Sequence, residues 1–332
     1  MRAVIARTAG GPEVLELVEL PDPVAGPGEV LLRIRASAVN RADILQRQGR
    51  YPMPPGAGPI LGLEAAGTVE SVGPGVVGWT PGDRAMALLS AGGYAELAAV
   101  PAGQLMGVPD ALDWITAAAV PEAFLTAWQA LGRQTPAHVD DWVVVHAAAS
   151  GVGLAALQIA RELGAQTIAT TRSQDKAERI EAYCDHVIVP ANGEFADDVL
   201  RLTGGHGADV VVDLVGAAYW GDNVRSLALD GRIAVIGLVG GTRTDLDLGA
   251  LLARRATVVA STLRARSVAQ KRELVASFSA WGLPRLADRR LRPVVDDFIP
   301  LSRVADAHRA VEANSTVGKV VLALSEDGLV AM

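Results

Sequence analysis

The chain has 332 residues, half of them hydrophobic and a fifth charged, with 35 glycines and only 4% aromatic residues; this is a folded composition with room for one large domain or two ordinary ones, and the core must come mainly from Val, Leu, Ile and Ala. A net charge of −7 with no long Lys/Arg run argues against nucleic acid as a main partner, which needs a basic patch to displace counterions. The single cysteine, Cys184, excludes an internal disulfide and a Cys-rich zinc site, the apolar stretch after Met1 is too short for a signal peptide, and no run approaches the ~18 apolar residues of a membrane span, so no membrane and a cytoplasmic location are expected.

Short strands and turns fill the first third of the chain. Residues 30–36 follow the turn Gly26-Pro27-Gly28, residues 65–72 form another strand ended by Gly73-Pro74-Gly75, and Pro and Gly crowd residues 52–59 into a loop. This is a mostly antiparallel β region. Beyond Pro121, strands and helices alternate: a strand at 143–147, a Gly-rich turn, a helix at 154–163 stopped by Gly164, then strands at 167–171, 186–189, 210–214, 233–237 and 257–261. Apolar strands flanked by helices require a parallel sheet covered on both faces, and six of them suit two nucleotide-binding halves. After Trp281 come a short strand at 298–301, a helix capped by Ser302 and running to about Glu312, and a closing strand at 319–324. The expected division is 1–121 with 285–332 as one domain and 122–284 as the other.

The turn reads His146-Ala147-Ala148-Ala149-Ser150-Gly151-Val152-Gly153-Leu154. A pyrophosphate sits against backbone N–H groups at a helix N-terminus, which demands small residues there. Ala148-x-Ser150-x-x-Gly153 and Gly151-x-Gly153-x-x-Ala156 both meet that need; neither is the full three-glycine fingerprint, but the turn follows a buried strand and opens a helix, which is the confirming context. Ser150, Gly151, Val152 and Gly153 are the candidate phosphate contacts. The second strand of NAD-specific sites ends in Asp or Glu, which binds the ribose 2′-OH; here Thr171 stands about there, followed by Arg172, Ser173 and Lys176. These can bind a 2′-phosphate by charge-assisted hydrogen bonds, so NADPH is the expected cofactor. Asp175 reads as the cap of the next helix. Asp209 and Asp213 bracket a buried strand as its ends rather than forming a catalytic pair, and Cys184 reads as an inert thiol.

The blocks Ser37-Ala38-Val39-Asn40-Arg41-Ala42-Asp43, Gln46-Arg47-Gln48-Gly49-Arg50-Tyr51-Pro52, Leu61-Gly62-Leu63-Glu64, Gly92-Gly93-Tyr94-Ala95-Glu96, Pro121-Glu122-Ala123-Phe124-Leu125-Thr126, the Gly-rich turn, Leu229-Asp230-Gly231-Arg232, Ser261-Thr262-Leu263-Arg264 and Gly318-Lys319-Val320 together resemble the zinc-independent quinone oxidoreductase (zeta-crystallin-like) branch of the medium-chain dehydrogenase/reductase superfamily, most of all its stress-induced subgroup. The resemblance spans nearly the whole chain. It implies an α/β fold: a Rossmann doubly wound six-stranded parallel sheet plus a mostly β, GroES-like catalytic domain. Zinc-dependent relatives hold their metal with Cys, His and Cys where this sequence offers Asn40, Leu63 and Glu122; leucine cannot bind zinc, the five histidines have no ligand spacing, and no metal is expected. A ketone needs a Lewis acid to stabilise the alkoxide formed by hydride addition, whereas a quinone delocalises the new charge into a forming aromatic ring and an enone delocalises it less. Quinones are therefore the expected acceptors, with NADPH-dependent reduction of activated alkenes (enoyl or alkenal compounds) as the alternative. A cofactor-charged structural or RNA-binding protein of the crystallin kind is a third reading, disfavoured by the net negative charge.

The resemblance also assigns roles. Tyr51 faces the substrate and, with an unperturbed pKa near ~10, can donate a proton; Asn40 lies beside nicotinamide and substrate; Thr126 contacts the nicotinamide riboside, although a helix hydroxyl bonded to its own backbone reads as well. Asp43 is more simply structural. Backbone groups at Val215, Gly237, Leu238 and Leu263, and the side chains of Asn314 and Lys319, complete the expected cofactor neighbourhood, with the nicotinamide in the cleft between the domains. The tyrosine and following basic residue that relatives carry near Pro190-Ala191 are absent, which leaves Arg172 a larger share of the 2′-phosphate. The resemblance also implies a homodimer in which the sixth strand pairs with its partner across a two-fold axis; left unpaired, that apolar edge invites aggregation.

Overall fold

The computed structural model describes residues 1–51, 53, 54 and 56–324. The chain divides into two compact units, Thr126–Thr262 and Met1–Leu125 with Leu263–Met332. The first of these is a Rossmann sheet. Its strands are β1 (Trp142–Val145), β2 (Gln166–Thr170), β3 (His186–Ile188), β4 (Ala208–Asp213), β5 (Leu227–Val235) and β6 (Thr257–Ala260). All pair in parallel, in the order β3-β2-β1-β4-β5-β6, the doubly wound order that reverses direction between β1 and β4. The reason is legible in the residues: Val143, Val144 and Val145 face Val210, Val211 and Val212 in register, and all six are fully buried, as a central strand pair covered on both faces must be.

Helix α1 (Gly151–Glu162) follows β1, and α2 (Gln174–Ile180) follows β2. α1 begins three residues before the expected position 154 because Ser150 caps it, its Oγ accepting the Gly153 N–H at 3.0 Å; it ends before Gly164, whose φ of +88° only glycine adopts without strain. Two expected caps are corrected. Ser173, not Asp175, caps α2, its Oγ accepting from the Lys176 N–H, while Asp175 sits in the first turn. Ser302 caps nothing: it lies in a 3₁₀ turn, Leu301–Arg303, ahead of the helix Val304–Glu312, so its hydroxyl is already one step inside helical backbone. β5 also starts earlier than expected and stops at Val235, because the N–H groups of Ile236 and Gly237 leave the sheet to bond the Asp213 carbonyl at 2.8 and 3.1 Å.

The other unit is built on a mostly antiparallel seven-stranded sheet. The 11-residue strand Glu29–Val39 pairs antiparallel with Glu64–Val72, Leu97–Pro101 and the closing strand Lys319–Ala323. Val295–Pro300 adds to the last of these in parallel. One apolar cluster gathers Val30, Leu32, Ile34, Val69, Ala85, Val100 and Leu105, and a second gathers Val4, Val39, Leu61, Tyr94, Val304, Val320 and Leu322. The helix Val268–Ala287, whose residues up to 284 fall in the expected cofactor domain, packs in this unit against the turn Ala102–Gln104 and the strand Leu105–Gly107.

Candidate functional site

In the Rossmann unit, the expected cofactor residues gather at the carboxyl ends of the strands. Ser150 to Gly153 open α1, and Gly153 is packed so tightly that an added Cβ would stand 2.7 Å from the Ala147 and Ala148 carbonyl oxygens. This selects the register Ala148-x-Ser150-x-x-Gly153, in which the third small residue lets helix and strand approach. At the end of β2, Thr171 is buried, its N–H bonded to the Ile188 carbonyl at 3.1 Å, while Arg172 and Ser173 are exposed. No carboxylate stands at the strand end itself. After β4, the Val215 and Gly216 N–H groups both bond Asp213 Oδ1, at 2.7 and 2.9 Å, so neither N–H is open to a ligand. Gly237 lies against this turn, since its Cβ would stand 2.7 Å from the Leu214 carbonyl oxygen, and Leu238 is half exposed.

A buried polar chain ties these strand ends together. His146, just past β1 and fully buried, bonds Thr170 Oγ1 at the end of β2 (2.8 Å) and Asn223 Oδ1 (2.6 Å); Asn223 Nδ2 donates to Asp213 Oδ2 at the end of β4 (3.1 Å). Burial holds the His146 pKa below its ordinary value, opposed by the Asp213 charge, so the imidazole is neutral and can serve as donor on one nitrogen and acceptor on the other.

In the other unit, Asn40 and Lys319 meet directly. Lys319 is 5% exposed, and its ammonium bonds the Val39 carbonyl (3.1 Å), Asn40 Oδ1 (2.5 Å) and the fully buried Glu64 (2.7 Å). Asn40 Nδ2 donates to Glu64 at 2.9 Å, and the other Glu64 oxygen accepts the Glu122 backbone N–H at 2.8 Å. All three ammonium donors and both ends of the Asn40 amide are thus committed within the unit. Asp43, fully buried, accepts from the N–H groups of Asn40 (2.8 Å) and Gly62 (3.2 Å) and from Tyr94 Oη (3.1 Å); burial lifts its pKa to about 6 despite these bonds. It is structural, as expected.

Tyr51 lies beside a second group. The Arg264 guanidinium stands 5.4 Å from the centre of the Tyr51 ring, within cation–π range. Arg264 is held by the Ser90 carbonyl (Nε, 2.8 Å) and Gln46 Oε1 (Nη2, 2.6 Å), and Lys271 bonds Ser90 Oγ. Burial raises the Tyr51 pKa, and the Glu122 charge raises it further, so the phenol keeps its proton at neutral pH. Glu122 is itself pushed up to about 8, by burial first and then by Glu64, and is mainly a neutral acid at pH 7.

Residues 26–110 match the alcohol dehydrogenase GroES-like domain family, and residues 151–279 match the zinc-binding dehydrogenase family. A Pseudomonas aeruginosa quinone oxidoreductase is 34% identical over 94% of this chain and 96% of its own. The chain belongs to the medium-chain dehydrogenase/reductase superfamily. Another member similar to it is the Metallosphaera sedula acryloyl-coenzyme A reductase, 29% identical over 97% of this chain and 99% of its own. A Mycobacterium tuberculosis mycocerosic acid synthase-like polyketide synthase is 33% identical over 97% of this chain, which spans only 15% of that protein. Among solved structures, Escherichia coli quinone oxidoreductase complexed with NADPH superposes with a TM-score of 0.87 at 30% identity, covering 98% of this chain and 100% of the other. A structure described as an NAD-dependent alcohol dehydrogenase gives 0.86 at 36% identity over 98% and 100%. These matches include quinone oxidoreductases, and they support that branch of the superfamily for this member.

The zinc-binding family name raises the question of a metal, and the donor set of this member does not fit one. Of the positions where zinc-dependent relatives carry their ligands, Leu63 is fully buried and has no donor, and Asn40 already accepts from Lys319. The chain's own ammonium, paired with Glu64, sits against the oxygens a cation would need. Among the described residues no group of three or more His, Cys, Asp or Glu is arranged to hold a metal ion.

Of the remaining expected residues, Thr126 is partly exposed in the helix Pro121–Trp128. Leu263 is buried, its carbonyl accepting the Arg266 N–H at 3.2 Å. Asn314 ends the helix Val304–Glu312 at φ +53°, its amide bonded to Arg41 and to the Glu312 carbonyl. The sequence reading misses Glu64, Arg264 and His146 as members of these networks. For Glu64 a signal exists, a lone carboxylate inside the apolar run Leu61-Gly62-Leu63-Glu64-Ala65-Ala66, since unpaired charges are almost never buried.

Proposed function

We propose that this protein is an NADPH-dependent reductase of quinones. The observation that carries the reading is the Lys319–Glu64–Asn40 cluster: an internal ammonium is committed where a Lewis acid would be needed, which favours an acceptor able to spread the charge that hydride addition creates. The Ser150-capped start of α1 would hold the NADPH pyrophosphate and Arg172, Ser173 and Lys176 its 2′-phosphate, and the cofactor so bound would supply the hydride. The Tyr51 phenol, protonated at neutral pH, donates a proton or hydrogen bond to the reduced oxygen. Asn40 and Lys319 act by fixing the shape and charge of the site, because their polar atoms are already bonded to each other. The likeness to an acryloyl-coenzyme A reductase supports a second reading, reduction of an alkene conjugated to a thioester. We further propose that the protein dimerises through β6, an edge strand with Val258 41% exposed, preceded by a helix on which Leu248 and Leu252 are exposed.

The deciding experiment measures NADPH and NADH oxidation with 1,2-naphthoquinone and with crotonyl-coenzyme A in parallel. The quinone reading expects fast turnover of the first with NADPH and slow turnover of the second. Preference for the thioester reverses the order of the two readings. Efficient oxidation of simple alcohols, or no turnover of either acceptor, removes both.

A further inference from the structure

Arg264 is 3% exposed, and among the described residues its Nη1 is buried with no hydrogen-bond partner. Its neighbours are otherwise well used: Nε donates to the Ser90 carbonyl, and Nη2 to Gln46 Oε1 and, at 3.1 Å, to Met53 Sδ. A guanidinium has five N–H donors in a fixed fork, and a buried charged donor left unmet is costly. Native proteins keep such a group where something else completes it. The Tyr51 ring flanks the guanidinium, so the group that carries the buried, unpartnered Nη1 stands beside the residue proposed to face the acceptor. The nearby charges do not complete it. Asp43 is spent on Asn40, Gly62 and Tyr94, and Glu122 makes no salt bridge to Arg264 and favours its neutral form. Lys271 adds a second cation bound to Ser90 Oγ.

We propose that Arg264 Nη1 receives the acceptor's carbonyl oxygen and stabilises the negative charge that collects on it, which makes Arg264 a specificity-determining residue for conjugated carbonyl acceptors. The inference rests on the reductase reading. In the step, the C–H bond at the nicotinamide breaks and its electron pair forms the new bond to the acceptor. The acceptor's π pair moves onto the oxygen held by Arg264, the cofactor is oxidised as the acceptor is reduced, and the oxygen then takes a proton from Tyr51, which regains one from solvent. A fixed guanidinium acts here as a preorganised oxyanion partner, a device whose removal costs roughly 10²–10³ in kcat.

The test uses a product-like probe and a readout other than turnover. The NADP⁺-loaded protein is titrated with 4-nitrophenol at a pH where the free probe is partly ionised, and the phenolate absorbance of the bound probe is recorded for wild type, Arg264→Lys and Arg264→Met. Expected is a bound probe more ionised than the free one, an excess reduced in Arg264→Lys and abolished in Arg264→Met, with kcat/KM for 1,2-naphthoquinone lowered roughly 100-fold in the latter. A wild-type protein that binds the probe as neutral phenol, or does not bind it, overturns the proposal, as does the same excess in folded Arg264→Met. If Arg264→Met does not fold, the wild-type spectrum alone decides. An ionised bound probe in a protein that reduces no acceptor sinks the reductase reading and leaves the oxyanion site standing; turnover with a neutral bound probe does the reverse.

Discussion

Gly153→Ala separates phosphate binding from folding. The added Cβ would meet the Ala147 carbonyl oxygen, the Ala148 Cα and the Ala148 carbonyl oxygen, each at 2.7 Å. Comfortable contact needs about 3.5 Å, so α1 must retreat by roughly 0.8 Å, and because all three neighbours are backbone no side-chain rotation relieves the clash. Overpacking of this kind costs ~1–3 kcal/mol, while replacing glycine by alanine inside a helix returns ~1 kcal/mol. The net loss of stability is therefore ~0–2 kcal/mol, a few degrees in Tm. The helix start proposed to face the pyrophosphate moves by the same distance, and loss of one charge-assisted hydrogen bond there is worth ~1.5–3 kcal/mol, or about 10- to 150-fold in affinity. Fluorescence titration with NADPH should show that weakening while differential scanning calorimetry shows only a small shift. A folded Gly153→Ala protein that binds NADPH within about twofold of wild type refutes the cradle.

Lys319→Met strips the fully buried Glu64 of its 2.7 Å partner and should cost ~3–5 kcal/mol in urea unfolding, with part recovered in Lys319→Met/Glu64→Gln; equal stabilities of single mutant and wild type would contradict the buried pair. Glu122 has a folded pKa of about 8 against an ordinary value of 4.5. Between these values the unfolded chain has released the proton that the folded chain still holds. Its stabilising contribution is therefore complete below 4.5 and is lost as pH rises through 8. The urea midpoint should fall more between pH 5 and pH 8 in wild type than in Glu122→Gln, and parallel profiles would count against the burial argument. Val258→Asp should convert the proposed dimer to monomer in sedimentation velocity; a wild-type monomer at micromolar concentration ends that proposal.

Local chemistry reads well from the sequence. The apolar strands 143–145 and 210–212 fix a parallel, doubly covered sheet, and a small-residue turn marks the passage from strand to helix, because each signal lies within a few neighbouring residues. Caps are less determinate: Ser173 and Asp175 are equally competent chemically, and only the backbone decides that Ser173 takes the role. The polar networks are hardest to read. Asn40 and Lys319 are each recognisable by likeness, yet they lie 279 residues apart and nothing local says that they bind each other. Arg264 and Gln46 are 218 residues apart, and the block Ser261-Thr262-Leu263-Arg264 draws attention to a backbone contact at Leu263 rather than to its arginine.

The imidazole past β1 has a consequence for how the carboxyl edge of the Rossmann sheet bends. Because His146 grips Thr170 on one side and, through Asn223, Asp213 on the other, the loops leaving three neighbouring strands form one truss, not three independent hinges. Cutting any single member, as Asn223→Ala would, loosens them all together, so damage to cofactor binding should spread well past the point of the cut.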